Sequence, residues 1–376
     1  MLRQENDAHV VNTLLPQVLQ LLNAPWDASV QLCKEVKGQA ERVLYALSHS
    51  HFNAIFSRVS RRIQTIQNGN EDNPDTSDIN LLQHLDIDLS RLIAVMTVIT
   101  QQRNMKKVLY LSLAINLEKV IWTWMEKHHD EFAGLVFKPN DALADLCDRL
   151  FEMFSSFADG SQRKKSAVWP LLIMLLVITP KFLEEITSSD TGAPCSTQHL
   201  KKKQFVDELR KAVNPQNNKL ALIEGAVTAC VRMCKAFTFV KSTENSSVLL
   251  TLVKSVVLDL KAVLFNPNKP FKTSTPKEDI ELMIDCFVSF YRTTPHCNDV
   301  LQVVLSICLN PSAPTQYHFM LVRGLLIIIK QKKITWWPKI GVVYSKGEEL
   351  RKMFSDTMQS VMLMIPNRVP PPQLQH

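Results

Sequence analysis

The sequence predicts an all-α chain, an α-solenoid of degenerate HEAT- or armadillo-like helical repeats. Three observations carry that expectation. Apolar residues recur at steps of three and four in nearly every segment, the period of one helix face. Strand-like alternation is nowhere sustained. Glycine supplies the positive φ of hairpin turns and the close backbone approach of phosphate loops. It contributes only 9 of 376 residues, well below the usual ~7%.

Taken in order, "VNTLLPQVLQLL" places Val11, Leu14, Leu15, Val18, Leu21 and Leu22 in one stripe. A second helix is expected over about 28–48. "FNAIFSRVSRRIQTI" makes the next, with Phe52, Ile55, Phe56, Val59, Ile63 and Ile66 on one side and arginines opposite. The same period predicts helices over about 87–101, 104–127, 141–157, 170–186, 200–213, 219–239, 246–265, 277–292, 298–309, 315–331 and 346–364.

Between them lie polar, proline-bearing connections such as "NGNEDNPDTSD" (68–78), "SSDTGAPCSTQH" (188–199) and "NPNKPFKTSTPKE" (266–278). Asp78 is placed to cap the segment that follows it. Paired helices arriving every ~40 residues describe an array over 1–364, with a sub-boundary near 188–199 and a Pro-rich, extended tail over 365–376. A single compact bundle is the structural alternative, but so many helices strain the size of one core.

Composition excludes several function classes. Forty-three Lys and Arg against 36 Asp and Glu give a mild +7, spread in short clusters such as Lys201-Lys202-Lys203 rather than concentrated on one face, so nucleic acid is not an expected partner. The longest apolar run, "AVWPLLIMLLVI", holds 12 residues, short of the ~20 that span a bilayer. No transmembrane segment or secretion signal is read. The eight cysteines are scattered through apolar stretches, which fits reduced, buried thiols.

Chemistry is sought and not found. Cys230 and Cys234, one helical turn apart, and Cys195 with His199 at the same spacing are compatible with a zinc site, but "LIEGAVTACVRMCKAF" reads more simply as one amphipathic helix. The "KHHDE" run, Lys127 to Glu131, gathers imidazoles and carboxylates at a helix end, where Lys and His complement the helix dipole. "HSH", His49 to His51, has no acid or thiol nearby in the sequence. No nucleophile elbow, phosphate loop or zinc-protease motif is present. No catalytic residue, cofactor or metal ligand is assigned.

Seven stretches together resemble one family. "FNAIFSRVSRRIQ" (52–64), "EDNPDTSDINLLQHLDID" (71–88), "LEKVIWTWMEKHHDEF" (117–132), "AVWPL" (167–171), "VVLDLKAVLFNPNKPF" (256–271), "DIELMIDCFVSFYRTTPH" (279–296) and "WWPKIGVVYSKGEELRKMF" (336–354) look like the N-terminal HEAT-like helical region of the neurofibromin family. The similarity runs in order along most of residues 10–355 and leaves the pattern after about Met364. It implies a segment of a large cytoplasmic regulator that speeds GTP hydrolysis by Ras. In that family the arginine finger sits in a separate catalytic domain, lipid-binding modules follow it, and helical arrays mediate dimer assembly. Nothing in this chain matches the catalytic domain, so the resemblance implies a scaffold and dimerisation segment rather than an enzyme. Membrane recruitment would come from regions not matched here. A stand-alone helical-repeat adaptor for a protein partner is the other class.

Trp169-Pro170 and Trp336-Trp337-Pro338 share a pattern. Proline is favoured in the first turn of a helix and pushes the preceding residue out of helical φ/ψ. Both prolines therefore read as helix starts, with Trp169 and Trp337 just outside. Adjacent side chains cannot share one direction, so one of Trp336 and Trp337 enters the core. The alternative is an exposed aromatic-basic patch with Lys332, Lys333 and Lys339. Alanine substitution of each tryptophan in turn should lower the urea midpoint for at least one, by about 3–5 kcal/mol in stability. Unchanged stability for both would point to the exposed patch.

Overall fold

A helix with one apolar stripe is stable only when the stripe is covered, and the first two helices cover each other. The computed structural model describes residues 2–27, 29–70, 73–102, 105–138, 140–156, 162–179, 197–212 and 225–230, with Arg232, Met233, Ala236 and Arg323 as single positions. Helix α1 (Leu2–Asn23) packs on α2 (Gln31–Asn68). It buries Val11, Leu15, Val18 and Leu19, whereas Leu14 and Leu21, expected in the stripe, are 39% and 38% exposed. The steps Val11, Leu15, Val18 and half-buried Leu22 already make one line. Leu14 lies ~100° round the helix from Leu15, beyond the reach of α2.

The two helices expected over 28–48 and 52–66 are one. Helix α2 runs through "HSH" with a kink at His51, whose φ of −126° and ψ of 32° leave the helical region. No proline or glycine stands there to end the helix. Leu44, Ser48, Phe52, Ile55, Val59 and Ile63 keep a continuous buried line across the kink.

After α2 the chain turns through Asp75, whose carboxylate accepts from the Ser77 backbone N–H at 2.9 Å and hydroxyl at 2.8 Å. A 3-10 helix follows over Ile79–His84. Asp78 does not cap it: its side chain makes no cap hydrogen bond and instead accepts from Arg58 at 3.2 and 3.3 Å. The charged guanidinium outbids a backbone amide for the carboxylate. True caps are Asp88, which accepts from Arg91 N–H at 2.8 Å before α3 (Leu89–Thr100), and Asn140, which accepts from Leu143 N–H at 3.1 Å before α6 (Asp141–Ser155).

Between them, α4 (Lys107–Lys127) is buried over most of its surface: 12 of its 21 residues are buried, more than one narrow stripe can supply, while Val108 and Ile115 on its remaining side are each 39% exposed. It packs against α2, the 3-10 helix, α3, α5 (His129–Phe137), α7 (Gln162–Ala167) and α8 (Trp169–Ile178). All ten residues of α8 are buried, and it lies on both α4 and α6. Trp169 is the first residue of α8, not outside it, and Pro170 the second. Val168 before them is already helical, at φ −88° and ψ −17°, so the chain enters turning and the missing Pro170 N–H costs nothing.

The chain divides into two compact units, Met1–Lys202 and Lys203–His376, with the divide inside α9 (Thr197–Ala212). Within the second, Phe205, Val206 and Leu209 are buried, as are Ala226, Val227, Ala229 and Cys230 in a helix over 225–230. Regular structure among the described residues is helical throughout, and no described helix is long and apolar enough to cross a membrane. Of the helices expected from 246 onward only Arg323, helical, is described; the rest of them, the tail and the Trp336-Trp337-Pro338 pattern lie outside the described residues.

Trp124 is fully buried at the C-terminal end of α4, edge-on to Phe132 of α5 at 6.1 Å. Trp124→Ala should cost about 3–5 kcal/mol, read as a fall in urea midpoint with an unchanged slope. A change under ~1 kcal/mol would remove α4 from the centre of the core.

Candidate functional site

The residues singled out for chemistry disperse. Cys230 is buried in its helix, while Cys195, Cys234 and the side chain of His199 lie outside the described residues. Among the described residues no cluster of three His, Cys, Asp or Glu is arranged to hold a metal ion. Burial pushes the Cys147 thiol far above its ordinary range, with Asp148 adding to the effect. It is no thiolate nucleophile.

The "KHHDE" run is a corner. His128 ends α4, and Asp130 and Glu131 occupy the first turn of α5, where acids suit the dipole. Glu131 accepts from the Trp124 indole N–H at 3.1 Å, tying the two helices. The lysine cluster is likewise spent on packing. Lys201 donates to Glu152 at 2.9 Å and Lys202, 2% exposed, to Asp148 at 2.6 Å.

Two constellations remain, both on α2. The first surrounds its kink. Asp86 Oδ1 accepts from the Tyr45 hydroxyl at 2.7 Å, and Asp86 Oδ2 lies 2.7 Å from His49 Nδ1 and 3.4 Å from Arg91 Nη1. The Asp86 backbone N–H donates to Ser48 Oγ at 2.7 Å, and Arg91 donates to the carbonyls of Asp86 and His49 at 2.8 and 2.9 Å. Arg91 therefore holds a carbonyl two residues before the distorted turn at His51. Lys127 lies 3.6 Å from the Tyr45 ring centroid, and Arg91 covers Phe52 at 4.9 Å.

Burial pulls the Asp86 carboxyl upward, but the bonds from His49 and Tyr45 and the Arg91 charge outweigh it and hold it below the ordinary carboxylate value. The same bond to Asp86 raises Tyr45, and burial lowers Lys127. Both carboxylate oxygens are occupied, so neither is left to act as a base. The cluster is a clamp that fixes the kink. Its His49 had no partner in the local sequence; the partner comes from 37 residues away.

The second constellation is a cleft of about 670 Å³ between α1 and the C-terminal half of α2. Asn12 and Pro16 of α1 face Ala54, Ser57, Arg61 and Thr65 of α2. Arg58, Arg61, Arg62 and Thr65 share one face by their spacing. Arg58 is held by Asp78, and Arg62 donates twice to the Asp75 carbonyl at 3.0 and 2.7 Å. Arg61 is exposed and donates from Nε to the Ser57 carbonyl at 3.2 Å. Its Nη groups have no partner among the described residues. This cleft went unread because arginines opposite an apolar stripe look like a solvated face.

A comparison with models of known protein families finds none that matches the chain.

Asp86→Asn keeps the shape and removes the charge. At pH 7 it should lower stability by about 1–3 kcal/mol, the range for hydrogen bonds to a charged group. The folded carboxyl sits below its ordinary value of 3.8, so the stabilisation is present above that value and is lost as pH falls through the lower folded one. Urea titrations should therefore show wild type and variant converging well below pH 3.8. A gap that does not depend on pH would mean the charge is not what the clamp uses.

Proposed function

We propose that the chain is a scaffold segment, the N-terminal HEAT-like array of a neurofibromin-like negative regulator of Ras signalling. It contributes shape, dimer contacts and protein-binding surface, and acceleration of GTP hydrolysis belongs to a catalytic domain with no counterpart in these residues. Such a protein acts in the cytoplasm, with Ras and a second copy of itself as family partners.

The observation that carries this reading is where four of the seven family-like stretches fall; the other three, 256–271, 279–296 and 336–354, lie outside the described residues. Residues 52–64 hold the Arg58 and Arg62 joints, and 71–88 hold the turn, the 3-10 helix and Asp86. Residues 117–132 make the α4–α5 corner, and 167–171 the entry to α8. Similarity that includes the joints between helices is what a shared array of helices requires, since joints set how one helix pair is laid on the next. The polar side chains at these joints hold helix to helix, and none is arranged as an acid, base or nucleophile. The cleft on α1 and α2 favours a second reading, a stand-alone helical adaptor.

Single-turnover GTP hydrolysis by Ras should proceed at the same rate with and without excess chain. Stimulation of about a hundredfold, below the 10³–10⁵ an arginine finger supplies, would overturn the assignment of catalysis elsewhere. Sedimentation velocity should show concentration-dependent self-association. A chain that stays monomeric up to ~100 μM, where weak specific dimers form, would favour the adaptor.

A further inference from the structure

The cleft between α1 and α2 has a charge that the side chains described around it do not balance. From His9 to Trp26 there is no acidic residue, and from Arg42 to Asn70 none either. The counter-charges come from the turn beyond α2, Asp75 and Asp78, and they engage Arg62 and Arg58. Arg61 is left at the lip with its fork facing solvent. Beside it the Ser57 and Thr65 hydroxyls donate to the carbonyls of Asn53 and Arg61 one turn back, and neither accepts from the Arg61 Nη groups. On the opposite wall Pro16 has no N–H, so that wall presents an apolar ring in place of a donor.

We infer that this cleft docks an acidic segment of a protein partner, with an Asp or Glu carboxylate on the Arg61 fork and an adjacent apolar side chain against Pro16 and Ala54. The inference rests on the protein-binding reading above and names its chemistry. A planar guanidinium held at one edge by its own helix presents two parallel N–H groups, the geometry a carboxylate fills. Three arginines, two of them already engaged, are too few for nucleic acid, whose binding draws on ~6–10 phosphate contacts. A bilayer surface draws on clusters of several free basic groups, and here Arg58 and Arg62 are engaged by Asp78 and Asp75.

The test uses the full chain and a fluorescein-labelled twelve-residue peptide of repeated Glu-Glu-Leu, read by anisotropy at low salt. Saturable binding is expected. Arg61→Ala should weaken it about tenfold or more, the loss of one charge-assisted pair, and Ser57→Glu, which sets a carboxylate at the lip, should do the same. Arg149→Ala, on α6 and paired with Asp145, should leave it unchanged. Circular dichroism and urea midpoint should not move in the Arg61 variant, because its side chain is exposed.

No binding of the peptide, or binding indifferent to Arg61, overturns the inference. So does Arg61-dependent binding that is tighter to phosphatidylserine vesicles or to a twelve-nucleotide RNA. Sedimentation of the same samples separates the two levels. Self-association without peptide binding sinks the cleft alone, and peptide binding without self-association sinks the scaffold reading alone.

Discussion

Helix α4 must be covered over most of its surface, and the first unit is arranged to do it. A helix that buries Leu113, Leu117, Val120, Ile121, Trp124 and Met125 leaves only the strip through Val108 and Ile115 to water. Each fully buried large side chain contributes about 1.5–3 kcal/mol relative to exposure. That surface is lost together if any one neighbour fails to dock, so α2, α3, α8 and the 3-10 helix are held in place by a shared need. One of the two buried polar residues on α4, Asn116, also serves this end. Asn116 accepts from Gln83 at 2.7 Å and donates to Asn80 at 3.0 Å and to the Ser112 carbonyl at 2.8 Å. A buried amide so satisfied costs little, and it admits only one register of the 3-10 helix against α4.

Helix α2, 38 residues long, bends at His51, and the next connection grips it just before the bend. The Asp86 carboxylate accepts from the Tyr45 hydroxyl and pairs with the His49 ring, and Arg91 donates to the His49 carbonyl. The clamp therefore bears on the direction of the half-helix that carries Arg58, Arg61 and Arg62, and through it on the wall of the cleft.

Legibility divided along the same line. Apolar period located α3, α4, α6 and α9 to within a few residues, because the stripe is a property of consecutive residues. It missed α5 and α7, of 9 and 6 residues, which are too short for a period to repeat. It split α2 because three polar residues at 49–51 resemble a loop, when the tertiary partner of His49 lies in another segment. Asp78 and Asp88 look alike as cap residues, and only the fold decides that Arg58 reaches the first. Trp169 fell inside α8 rather than before it because α7 delivers the chain already helical.

The ion pairs are unequal for a related reason. Arg149 with Asp145, both more than half exposed, is worth at most ~1 kcal/mol. Arg58 with Asp78, 42% and 21% exposed, is of the same modest kind, so that pair is a poor explanation for stability and a better one for shaping the cleft wall. Lys202 is different. At 2% exposure it sits 2.6 Å from Asp148 and 5.9 Å from the Phe151 ring, so removing Asp148 would take the paired carboxylate from a buried charge, a loss of roughly 3–5 kcal/mol. Replacing both partners with apolar groups of equal volume need cost nothing. The pair therefore fixes which turn of α6 the start of α9 meets, while the apolar surface around it supplies the energy. Charge in this unit specifies position, and burial holds it there.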